Sequence, residues 1–216
     1  MKKNETLALI ANIAIIVLGI IGIVQSYDVY SYRMFVYYTL DSNVLCVVSS
    51  TLFVVFMLIK KSQKDMPAPV MKLRYASTCC LAITFVVAIT LLSIMGEGTY
   101  IENLIAKTIR QPFIYHHLLC PIISFISFIK FEGDRRLNKK ATIWWAIVPT
   151  IIYGLILIGL NVANIVDGPY PFLRINAQPI YMTALYVVLI LVCNYFISRF
   201  ILLFNQMNAP RIRKDS

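Results

Sequence analysis

Residues 7–24 read LALIANIAIIVLGIIGIV, a run from Leu7 to Val24 without one charged side chain. A helix crossing the hydrocarbon core of a bilayer needs about 20 predominantly apolar residues, and this run meets that length. It is longer than the apolar core of a secretory signal peptide, and Ile23-Val24-Gln25 offers no small-x-small cleavage site. Five further apolar blocks follow, over 35–59, 76–95, 112–129, 143–161 and 179–204. Period-two alternation, the mark of a membrane β-barrel, is absent from them. Backbone groups in lipid must be satisfied within their own segment, so the blocks are expected to be helices. The fold class expected is all-α, an integral membrane bundle of six transmembrane helices. With no internal repeat, residues 1–216 form one domain.

Composition agrees. Of the 216 residues 59% are hydrophobic and 14% charged, with a mean hydropathy of +0.75. Soluble domains hold about 45–50% apolar and about 25% charged residues, so a soluble enzyme is excluded, and so is disorder. Five cysteines (Cys46, Cys79, Cys80, Cys120 and Cys193) all lie inside apolar blocks and form no CxxC pair. Neither zinc nor a disulfide framework is indicated.

The net charge is +10, and the 20 Lys and Arg divide unevenly between the two sets of connecting segments. Sixteen fall in the set containing both termini, including Lys60, Lys61, Lys72, Arg74 and the run from Lys130 to Lys140. The opposite set holds Arg33, Lys107, Arg110 and Arg174. Cytoplasmic loops carry the excess of Lys and Arg, so both termini are expected in the cytoplasm of a multi-pass cell-membrane protein. The basic segments read as headgroup-facing loops. The partner implied is the lipid bilayer, and no nucleic acid is invoked. Residues 65–70 read as a short loop.

Polar side chains inside apolar blocks mark candidate sites. In the second block Thr39, Asn43, Cys46 and Ser50 fall on one helical stripe, with Ser42 and Ser49 at its edge and Asp41 pointing roughly the other way. Such a stripe also serves as helix–helix glue, and Asp41 as an outer cap or a partner of Arg33. The fourth block opens with His116 and His117, the two histidines of the chain. Adjacent helical residues point about 100° apart, so one site is expected to use only one of them. A metal would need further ligands from Asp41, Glu97, Glu102 or Asp167, and none is expected. The segment Asp167-Gly-Pro-Tyr170-Pro171-Phe172-Leu173 is a rigid turn, with Tyr170 and Phe172 also readable as interfacial anchors. Topology puts Thr39, the histidines and this turn in one outer layer, Thr39 about one turn below the interface. A hydroxyl and an imidazole at one depth are the parts of a nucleophile–base pair.

At these residues the chain resembles the androgen-induced and androgen-dependent membrane proteins and their bacterial multi-pass relatives. The matching pieces are Tyr38-Thr39, His117 (or His116) ahead of Pro121, and Tyr170-Pro171-Phe172-Leu173. Order, spacing and the six-block hydropathy cover nearly the whole chain. Asp41-Ser42-Asn43 after the threonine is a departure from the animal members. The resemblance implies an intramembrane threonine hydrolase of lipid esters, such as fatty acid esters of hydroxy fatty acids, working without a cofactor. Thr39 is then the nucleophile, and the family's His–Pro spacing favours His117 over His116 as base. Asn43, Ser42 or Tyr170 would supply an oxyanion donor, and Tyr170 or Asp167 would orient the imidazole. Asp41 lies beside this group. Apolar walls from blocks two, four and six would hold the acyl chain. The alternatives are a membrane acyltransferase through the same acyl-enzyme, and a non-enzymatic carrier of lipid or small molecules.

Overall fold

The computed structural model describes residues 2–137 and 140–209. Lys139, Arg211, Arg213 and Lys214, all counted at the basic end, lie outside these residues. Every described element is a helix. In chain order they are α1 (Lys3–Tyr30), α2 (Tyr38–Lys60), α3 (Ala68–Leu92, its last turn π-helical), α4 (Tyr100–Thr108), α5 (Ile114–Lys130, π-helical over its first six residues), α6 (Trp144–Val162) and α7 (Ile180–Met207). α1, α2, α3, α6 and α7 lie in five segments long and apolar enough to cross a membrane. α5 is apolar but shorter.

Local chemistry sets the helix ends. Glu5 accepts a 2.7 Å bond from the Lys2 amide at the start of α1, and Thr99 with Glu102 forms a reciprocal capping box on α4. α2 stops where Lys61 turns left-handed, and α3 starts just after Pro67.

The bundle is inverted relative to a soluble one. α1 turns Ala8, Asn12, Gly19, Gly22 and Ser26 inward and leaves Ile10, Ile13, Val17, Ile20 and Val24 exposed. Small and polar residues at helix contacts, with bulky aliphatics outside, are what association in lipid favours. Hydroxyls staple the centre. Ser49 meets Ser77 at 2.7 Å, and Thr78 meets Ser124 at 2.8 Å, tying α2 to α3 and α3 to α5.

Two expectations need correction. Residues 68–70 are helix, not loop, because α3 begins at Ala68, eight residues before the apolar block. Lys72 and Arg74 hid that first stretch. Lys72 lies over the Trp145 ring, and Arg74 is not a loop charge: it is fully buried and paired with Glu132. The segment before Gly133 therefore turns inward as well. Glu5 accepts from the Gln63 amide, and the Gln63 side chain donates to the Gly133 carbonyl. These bonds gather the start of α1, the α2–α3 link and the α5–α6 link at one end. Segments 31–37, 93–113 and 163–179 form the other.

Candidate functional site

Thr39 is the second residue of α2. The first amides of a helix have no partner within it, and Tyr37, the residue preceding α2, provides no side-chain cap. The Thr39 N–H instead donates to the Tyr170 hydroxyl at 3.3 Å. Tyr170 reaches it because segment 163–179 folds down into the bundle. Tyr170, Phe172 and Leu173 pack with Leu157 in a buried apolar cluster, and Tyr170 stacks on Phe172 with ring centroids 5.2 Å apart. Gly168 allows the fold-back, because a Cβ there would stand 2.3 Å from the Leu173 carbonyl oxygen. Tyr153 donates to the Val36 carbonyl, nine residues before the end of α6 at Val162. At 1.5 Å per residue this puts the start of α2 on the order of 10 Å inside that end.

The Thr39 hydroxyl lies 3.1 Å from His117 Nε2. The other ring nitrogen, Nδ1, bonds the Lys107 carbonyl at the end of α4. A carbonyl only accepts, so Nδ1 carries the proton. In the neutral ring Nε2 is then an unprotonated acceptor, and the Thr39 hydroxyl donates to it. Phe113 stacks on the imidazole, with centroids 5.5 Å apart and planes 7° from parallel. The ring is fixed in plane, tautomer and direction. Tyr170 completes the group at 3.3 Å from Thr39 Oγ1. Since the Tyr170 oxygen already accepts from the Thr39 amide, its proton is free to point at the hydroxyl. Burial pushes the Tyr170 phenol up to about 12, so it keeps that proton at neutral pH. Thr39, His117 and Tyr170 are each less than a tenth exposed.

The remaining expected residues separate. His116 points the other way, 2.9 Å from Ser26 on α1, where Gly22 leaves room for its ring. Asn43 donates both amide protons to backbone, to the Thr39 carbonyl at 2.7 Å and the His116 carbonyl at 3.3 Å. It joins α2 to α5 and has no N–H left for an oxyanion. Ser42 donates to the Thr39 carbonyl and meets Thr84 at 3.0 Å. Asp41 lines a separate groove with Phe35, Leu45, Tyr153 and Leu160. The ion pairs among the described residues are Arg74–Glu132 and Arg136–Asp134, so Asp41 does not pair with Arg33. Asp167 is exposed, and the imidazole is oriented by a backbone carbonyl in its place.

Thr39 and Tyr170 also line a cavity of about 220 Å³. Its walls come from α2, α3, α6, α7 and the Tyr170 segment, and include Ile83, Val87, Ile151, Gly154, Ile190 and Leu191. The fourth block contributes no wall, whereas the third and fifth, not expected there, do. Leu155, also at the cavity, is 67% exposed. It marks a side opening on the apolar outer surface.

Sequence reasoning missed the Lys107 carbonyl, Thr84, and the free amide of Thr39 itself. The last had a signal, since a residue at the start of a helix always carries an unpaired N–H. The arrangement can pass a proton from a hydroxyl to an imidazole and offer the Tyr170 O–H to a developing anion, joined by the Thr39 N–H once the phenol oxygen releases it. Comparison with protein-family models, curated proteins and solved structures finds no match to this chain.

Proposed function

We propose that the protein is an intramembrane hydrolase of fatty acyl esters, with Thr39 as nucleophile and His117 as base. The observation that carries this reading is the 3.1 Å contact from Thr39 Oγ1 to an Nε2 whose partner nitrogen is held by the Lys107 carbonyl, at the wall of an apolar cavity. As Oγ1 bonds the ester carbonyl carbon, Nε2 takes its proton. The carbonyl oxygen becomes an oxyanion, received by Thr39 N–H and Tyr170 O–H, with the α2 N-terminus adding its positive end. The imidazolium returns the proton to the leaving alkoxide, and the alcohol departs. Water, deprotonated by the same nitrogen, then cleaves acyl-Thr39 to the carboxylic acid and restores the threonine.

The test is labelling of the purified protein with a fluorophosphonate, followed by mass-spectrometric mapping. A phosphonyl group on Thr39, with loss of fluoride, is the expected product. Labelling only at other residues would overturn the assignment. Tyr170→Phe removes one of the two donors and should lower kcat about 10²-fold with KM little changed. An unchanged kcat would exclude the phenol from the oxyanion site.

The reading also places six spans in the cell membrane with both termini in the cytoplasm, α5 being the sixth. Its support is the bias of Lys and Arg toward one end. A cysteine at exposed Asp167 should react with an impermeant maleimide in intact cells, and one at exposed Lys61 only after permeabilisation. The reverse pattern would invert the topology.

A further inference from the structure

The cavity beside Thr39 has a definite capacity, and one of its walls is a glycine. An apolar cavity of about 150 Å³ holds a six-carbon ring. At that scale about 220 Å³ holds roughly eight or nine carbons. Its polar wall groups are the hydroxyls of Tyr38, Thr39, Thr84, Thr150, Tyr153 and Tyr170, of which Tyr153 bonds the Val36 carbonyl. Tyr38 and Thr150 bond each other at 2.8 Å, and Thr84 bonds the Cys80 carbonyl. Most of these groups are therefore satisfied before any ligand arrives, which leaves an apolar occupant favoured away from Thr39. On α6, Gly154 lines the space, and a Cβ built on it meets no atom within 4 Å. The missing side chain is room in the cavity and not a packing requirement.

We infer that this cavity measures the acyl arm of the substrate. It encloses the first eight or nine carbons of an unbranched chain, passes longer chains out beside Leu155 into the bilayer, and has Gly154 as its length-determining residue. The inference rests on the hydrolase reading for its chemistry but on the cavity alone for its length. For an ester taken up from water, each enclosed methylene leaves water for an apolar wall, worth about fourfold in affinity or kcat/KM. Carbons beyond the enclosed segment gain nothing from the protein.

The experiment compares wild type with Gly154→Leu on p-nitrophenyl esters of straight-chain acids from two to fourteen carbons. Taking the ratio of variant to wild type at each length cancels partitioning of the ester into detergent. Wild-type kcat/KM should climb about fourfold per carbon and break near eight or nine. Leucine adds four carbons to the wall, so the break should move to about four or five. Leucine also favours helix over glycine, so Tm should not fall. Leu191→Phe, on the α7 wall, should shorten the profile in the same direction. A second readout needs no turnover: free fatty acids of the same lengths should raise Tm up to the same break. If the esters are cleaved but neither variant moves the break, the length inference falls and the hydrolase stands. If no ester is cleaved yet the break in Tm moves with Gly154→Leu, the cavity reading stands and the hydrolase falls.

Discussion

Thr39→Ala should abolish fluorophosphonate labelling and reduce ester turnover at least about 10³-fold, the scale seen when an activated nucleophile is removed. Stability should fall far less than turnover. The substitution deletes a hydroxyl bonded at 3.1 Å to His117 and 3.3 Å to Tyr170, worth about 0.5–1.5 kcal/mol per bond. At roughly 2–4 °C per kcal/mol for a chain of this size, the two bonds together correspond to a fall in Tm of about 2–12 °C. Thr39→Ser keeps the nucleophile and should keep part of the activity. His117→Ala should lose nearly as much turnover as Thr39→Ala, since the two act as one unit. His116→Ala should cost stability instead, because its ring fills the space between Gly22 and Ser26. Full activity in Thr39→Ala would refute the mechanism, and saturable lipid binding without product would then mark a carrier.

The long helices were legible because apolar runs of bilayer length with at most one charge leave few alternatives to a helix. Their edges were not. α3 extends eight residues before its apolar block, through Lys72 and Arg74, because Trp145 and Glu132 compensate those charges from elsewhere in the chain. Hydropathy is read one residue at a time, and a pair 58 residues apart is invisible to it. α4 escaped because a nine-residue amphipathic helix has too little apolar length to register.

At the candidate site, the stripe on α2 was readable, but its division of labour was not. Thr39, Asn43, Cys46 and Ser50 share a face, and the sequence offers no way to tell the reacting group from the staples. The structure separates them by their partners. Asn43 spends both N–H groups on carbonyls and Ser50 accepts from Arg74, whereas Thr39 faces an imidazole and a cavity. The choice between the histidines follows from the divergence of adjacent residues around the helix, which turns His116 to α1 and His117 to α2. The Lys107 carbonyl had no signature at all, since every residue carries one.

The other large effect should come from the middle of the bundle, beside Ser50 of α2, where Arg74 and Glu132 form a fully buried ion pair. Arg74 Nε and Nη2 bond the two Glu132 oxygens at 3.1 and 3.0 Å, and Asn12 and Ser127 donate to Oε1. Nη1 donates to Ser50. Four helices and the segment after α5 meet at this cluster. Removing one partner leaves the other charge buried and alone, a loss of about 3–5 kcal/mol. Arg74→Met or Glu132→Gln should therefore lower Tm by about 6–20 °C in detergent. The double variant Arg74→Met, Glu132→Leu removes both charges and should recover much of the loss. A single variant melting within about 2 °C of wild type would show that the pair does not hold the bundle. The cluster also separates fold from chemistry. Ser50 is eleven residues along α2 from Thr39, about 16 Å at helical rise, and no bond joins Arg74 or Glu132 to Thr39, His117 or Tyr170 among the described residues. Below its melting temperature Arg74→Met should keep the wild-type chain-length profile and most of the turnover. Thr39→Ala should do the opposite, staying folded at the assay temperature and losing the chemistry.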